Sequence, residues 1–87
     1  MVNARLKIEY ANNEGALLRI LGVVERRGFM IKSVAMNEHA GGGLASIIIE
    51  VAPRGSERRL EVLVAFLRRL HEVQTINSFE PMQDQAA

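Results

Sequence analysis

Asn12-Asn13-Glu14-Gly15-Ala16-Leu17-Leu18-Arg19-Ile20-Leu21 is where the hydrophobic period of this chain changes, and the fold class follows from that change. On its N-terminal side, Arg5-Leu6-Lys7-Ile8-Glu9-Tyr10 alternates charged and apolar residues. Period two predicts a strand with Leu6, Ile8 and Tyr10 on one face. From about Glu14 to Arg27 the spacing becomes helical. Leu17, Ile20, Leu21 and Val24 form one apolar stripe, while Arg19, Glu25 and Arg26 lie off it. An asparagine at the junction suits the N-cap, because its side-chain oxygen accepts an orphan N–H of the first turn. Arg26-Arg27 followed by Gly28 supplies the stop signal, basic residues in the last turn and a glycine just past it.

Working outward, Phe29 to about Asn37 reads as a second strand, with Phe29, Ile31, Ser33 and Ala35 on one face and Met30, Lys32, Val34 and Met36 on the other. Gly41-Gly42-Gly43 marks a turn. Leu44 to Ala52 is a third strand, rich in β-branched residues and apolar on both faces. Pro53-Arg54-Gly55 ends it. Ser56 is the expected N-cap of a second helix, about Glu57 to Leu70, whose stripe is Leu60, Leu63, Val64, Leu67 and Leu70. Val73 to Phe79 reads as the last strand, and the polar end beyond Pro81 as a frayed tail.

The order β-α-β-β-α-β predicts an α+β fold of ferredoxin-like type, a four-stranded antiparallel sheet with two helices on one face. The second strand then lies at a sheet edge. Met30, Val34, Met36 and Ile48 are too apolar for a bare surface, so we expect a homodimer joined through edge strands. With 87 residues the chain is one domain, 1–87, with a core over about 5–79 and a tail at 80–87.

Composition narrows the function classes. There is no cysteine, so neither a disulfide framework nor a thiolate metal site is available. Net charge is +1 without a long run of like charge, which gives no electrostatic footprint for nucleic acid. No apolar stretch is long enough to span a bilayer, and the N-terminus lacks a signal-peptide pattern. We expect a soluble cytoplasmic protein with no nucleic-acid or membrane partner. His39 and His71 have no neighbouring nucleophile or metal-ligand spacing, so solvated loop histidines are expected.

The chemistry of Asn12 to Leu17 has two readings. A strand ends and a helix begins there, so several backbone N–H groups point out unpaired and, with the helix dipole, suit a carboxylate. Gly15 lets a ligand approach the backbone, and Asn12 or Asn13 can hydrogen-bond an ammonium or a carboxylate. The same residues also suit a structural role, asparagine as a cap and glycine in a turn. The residues by themselves leave both open.

The run Asn12 to Leu21, followed by Arg27-Gly28-Phe29-Met30-Ile31-Lys32-Ser33, resembles the ACT domain of the acetolactate synthase (acetohydroxyacid synthase) small subunit family. The resemblance extends from Arg5 to Phe79. It implies a non-catalytic regulatory or stabilising subunit in branched-chain amino acid biosynthesis. It also implies a catalytic large subunit as partner, which carries thiamine diphosphate, magnesium and FAD, so that this chain holds no cofactor and no metal. Valine or a related branched-chain amino acid would bind where two such domains meet. Asn12, Asn13, Gly15, Ala16 and Leu17 would hold its polar end, and Met30 and Ile31 of the second chain would close the pocket. Many valine-sensitive members carry asparagine where this chain has Met30, and a further C-terminal domain; the short length is similar to the isozyme II type.

The same topology serves other functions. A free-standing ACT-domain amino-acid sensor, acting on another enzyme, would use the same loop. An RNA-binding domain needs stacking aromatics on its central strands, where this chain has Ile47-Ile48-Ile49. An acylphosphatase-like hydrolase needs an arginine-bearing phosphate loop, and Asn12 to Leu17 holds no arginine.

Overall fold

The computed structural model describes residues 3–38 and 43–79. Among them, β1 (Ala4–Ala11), α1 (Ala16–Arg26), β2 (Phe29–Glu38), β3 (Leu44–Pro53), α2 (Leu60–Arg68) and β4 (Val73–Phe79) follow in the expected order. The strands form one antiparallel sheet in the order β2-β3-β1-β4, so β2 and β4 are its edges. His39, Gly41, Gly42 and the tail beyond Phe79 lie outside the described residues.

Period two in β1 becomes burial of Leu6, Ile8 and Tyr10, with Arg5 and Lys7 exposed on the other face. Register brings Leu6 opposite Ile49 and Ile8 opposite Ile47, so β1 and β3 present one apolar face to the helices. Ile20 and Val24 of α1 and Leu63 and Leu67 of α2 close the core from above. Leu17, Leu21, Leu60, Val64 and Leu70 pack around its margin. α1 lies over the β2 side and α2 over the β4 side, which leaves a seam between the helices.

Three details differ from the sequence expectation. The N-cap of α1 is Gly15, in the left-handed region at φ 82°, and no side chain caps the helix. Asn12 and Asn13 instead form the turn before it: the Asn12 N–H donates to the Gly43 carbonyl at 2.8 Å and the Asn13 N–H to the Ala11 carbonyl at 2.8 Å. One bond to a residue distant in sequence and one local bond thus take up the two asparagine N–H groups ahead of the helix. Secondly, α2 starts at Leu60, behind the extended Arg59, and not after Ser56. The Arg58 N–H bonds back to the Gly55 carbonyl, closing a separate turn ahead of the helix.

The third concerns β2. A bulge between Ile31 and Ser33 leaves Lys32 without a pairing partner and reverses the alternation. Val34 then sits opposite Ile49 and Met36 opposite Ile47, on the helix side of the sheet with Phe29 and Ile31. Ser33, opposite Glu50, and Ala35, opposite Ile48, move to the open face. Of the four apolar residues assigned to the open face, Met30 and Ile48 are there, and Val34 and Met36 are not. Those two remain 40% and 48% exposed at the β2 edge. No helix among the described residues is long and apolar enough to cross a membrane.

Candidate functional site

The β1–α1 junction lies at the C-terminal end of β1, beside the start of β3 and just ahead of β4. The Ala11 N–H donates to the Glu72 carbonyl at 2.8 Å, tying the junction to the loop before β4. The Ala16 N–H donates to the Asn13 carbonyl at 3.0 Å, and the Arg19 N–H to the Gly15 carbonyl at 3.0 Å. Among the described residues, the N–H groups of Gly15, Leu17 and Leu18 have no acceptor. Open amides at the positive end of α1 form an anion-facing surface.

Sequence reasoning missed the side chain that shapes this surface. Arg19, one turn into α1, folds back over the junction and donates to the Glu14 carbonyl at 3.3 Å. It also makes a close ion pair with Glu72. Glu72 is only 3% exposed, so its carboxylate is a buried anchor for a half-exposed guanidinium. The hydrogen bond from Arg19 holds the Glu72 carboxyl below its ordinary range. Burial opposes that, while its own backbone N–H and the charges of Arg19 and His71 reinforce it. The His71 Nε2 stands 3.8 Å from the same carboxylate, with its ring otherwise in solvent. Spacing within the helix marks Arg19 as one turn from Gly15, but Glu72 lies 53 positions away, beyond any local pattern.

Gly15 is required by this arrangement. A Cβ built on it would stand 3.0 Å from the Arg19 Nη1, and its φ is one that L side chains rarely adopt. Asn12 and Asn13 are exposed, Gly15 and Leu17 half-buried, and Ala16 buried. These five expected site residues stand together. Met30 and Ile31 do not join them within the chain: both begin β2, at the other end of the sheet. Met30 sits opposite Ala52 on the open face, and Ile31 packs on the core. Two cavities, of about 250 and 230 Å³, are lined elsewhere. The described residues contain no cluster of His, Cys, Asp or Glu that could hold a metal ion.

An antiparallel four-stranded sheet under two helices, in βαββαβ order, with a glycine-opened helix at the end of β1, defines a small ferredoxin-like α+β domain. The chain belongs to the ACT domain family, which matches residues 12–76. It is 34% identical over 67 residues to a probable acetolactate synthase small subunit of Methanothermobacter thermautotrophicus, a match covering 77% of this chain and 39% of that protein. The acetolactate synthase small subunit of Thermotoga maritima superposes with a TM-score of 0.79 at 23% identity, over 97% of this chain and 51% of that one. The ACT domain of a GTP pyrophosphokinase from Chlorobium tepidum gives 0.72 at 20% identity, over 90% and 97%. At these identities the two solved structures establish the shared fold. The chain spans about two fifths of the curated relative and about half of the Thermotoga chain.

Proposed function

We propose that this chain is a non-catalytic regulatory subunit of an acetolactate synthase, binding a branched-chain amino acid between two copies of itself. The observation that carries the reading is the open N-terminus of α1 at Asn12 to Leu17, on an ACT domain related in sequence to an acetolactate synthase small subunit. The free amides and the Arg19 guanidinium suit the effector's carboxylate, and Asn12 and Asn13 suit its ammonium.

The β2 edge supports a second copy. It offers unpaired backbone along one side and exposed Val34 and Met36 beside it. Antiparallel pairing of β2 with its copy would bring the start of one strand to the end of the other. Met30 and Ile31 of the partner subunit would then approach this chain's Glu38 end, where β3 begins and the β1–α1 junction lies. Their apolar side chains would contact the effector's branched side chain, and the absence of a polar group at Met30 would weaken retention of valine.

The dimer would dock on the catalytic subunit, which would carry thiamine diphosphate, magnesium and FAD, and favour its active arrangement. An effector would act only through unequal affinity for two states of that complex. The test is reconstitution with a candidate catalytic subunit, assaying acetolactate formation with and without valine, leucine or isoleucine. Stimulation by the chain is expected. Amino-acid binding without stimulation or complex formation would favour a free-standing sensor, and neither binding nor stimulation would refute both.

A further inference from the structure

The seam between the helices ends in a groove that the β1–α1 site does not use. Arg26 and Arg27 at the end of α1, Glu57, Arg58 and Arg59 ahead of α2, and Val62 in its first turn line a concavity of about 230 Å³. Four of the chain's 11 basic side chains thus surround one groove, against a single lining carboxylate, in a protein of net charge +1.

Two of these arginines already hold carboxylates. Arg59 donates to Glu61 from Nη2 at 2.6 Å, and Arg58 stands 3.8 Å from Glu57. The Arg27 guanidinium carbon lies over the Phe66 ring, 4.2 Å from its centre, a cation–π contact that holds the charge beside the groove. Among the described residues, Arg26 makes no ion pair. Val62, 45% exposed, adds an apolar contact beside the charges. Guanidinium forks next to an exposed aliphatic side chain match the composition of protein interfaces, where arginine is enriched. A polyanion such as RNA fits less well, because the charges gather in one short groove with no aromatic ring among its lining residues to stack bases.

We propose that this groove docks an acidic surface segment of the protein partner, which on the functional reading above is the catalytic subunit. The assignment rests on that reading for the partner's identity, and on charge complementarity for its chemistry. Location makes it compatible with the rest. The 11-residue α1 separates the groove from Gly15 by about 16 Å. The groove is lined by Arg26 and Arg27 at the end of α1 on one side and by Arg58, Arg59 and Val62 at the start of α2 on the other.

The experiment measures affinity of the full chain for the catalytic subunit by titration calorimetry, at low and moderate salt. Wild type is compared with R26E/R59E, whose guanidiniums pack on no ring, and with the milder R58Q. Amino-acid binding and light scattering on each variant check that loop and dimer persist. The expected result is a loss of at least tenfold for R26E/R59E, a smaller loss for R58Q, and a salt dependence that is shallower in the double variant. Affinity within twofold of wild type for both variants would overturn the groove assignment and leave the functional reading standing. Failure of the wild-type chain to bind the catalytic subunit would sink that reading and this assignment together. Binding of a labelled RNA that R26E/R59E abolishes, with catalytic-subunit affinity unchanged, would also overturn it.

Discussion

Replacing Gly15 with alanine and replacing Gly22 with alanine are the same chemical change, and the structure gives them opposite signs. Gly15 is held at φ 82°, where an L residue costs about 1–2 kcal/mol. Its new methyl would also stand 3.0 Å from the Arg19 Nη1, so the guanidinium that clamps Glu72 must shift. Gly22 lies inside α1 with ordinary helical dihedrals. There a methyl meets the far end of the exposed Arg26 side chain at 3.2 Å, which can swing away. Alanine in a helix interior is favoured over glycine by about 1 kcal/mol. For a domain of this size a urea m-value of about 1 kcal/mol per M converts these figures into midpoints. G15A should unfold about 1–2 M earlier than wild type and G22A up to about 1 M later, with both compared at one fixed protein concentration, because self-association of the kind proposed would shift the midpoint. G15N should lose less than G15A, since asparagine tolerates the left-handed region better than alanine. A G15A midpoint at or above wild type, or G15N as unstable as G15A, would refute the account of this junction.

Ile8→Ala, beneath both helices and fully buried, should cost about 2–5 kcal/mol by equilibrium unfolding, whereas Leu18→Ala, at a site 74% exposed, should cost far less; equal losses would contradict the core assignment. The Arg19 hydrogen bond holds the folded-state pKa of Glu72 below the ordinary glutamate value, so its contribution is full above that ordinary value and disappears as pH falls through the folded one. Wild type should therefore lose stability in acid more steeply than E72Q, and parallel profiles between pH 6 and 3 would count against the Arg19 clamp. Val34→Lys or Met36→Lys should yield a folded monomer by light scattering with circular dichroism unchanged; a dimer surviving both would move the contact off the β2 edge.

The element order was legible because hydrophobic period is a local property. Leu6-Ile8-Tyr10 at period two, the stripe from Leu17 to Val24, and Gly28 at its end specified a strand, a helix and a stop before any contact was known. Gly28 does adopt positive φ, at 90°, and Arg58 lies across it, a reason for glycine that no neighbouring residue announced. The boundaries of both helices were overextended: at Asn12 the backbone N–H is taken up by the Gly43 carbonyl from elsewhere in the chain, and Ser56 lies in a separate turn that the Arg58 N–H closes on the Gly55 carbonyl.

By itself, then, the sequence determined the βαββαβ order, the core faces of β1 and the helices, and the presence of an open helix end within Asn12 to Leu17. Periodicity and glycine act over a few residues, so they can be read without the fold. Tertiary structure alone decided the bulge that turns Val34 and Met36 to the helix side, and the separation of Met30 and Ile31 from the loop within one chain. It also decided the clamp of Arg19 on Glu72, and the meeting of Arg26 and Arg27 with Arg58 and Arg59. Each of these depends on registers and distances between segments far apart in sequence, which pairing and packing set and no local pattern encodes.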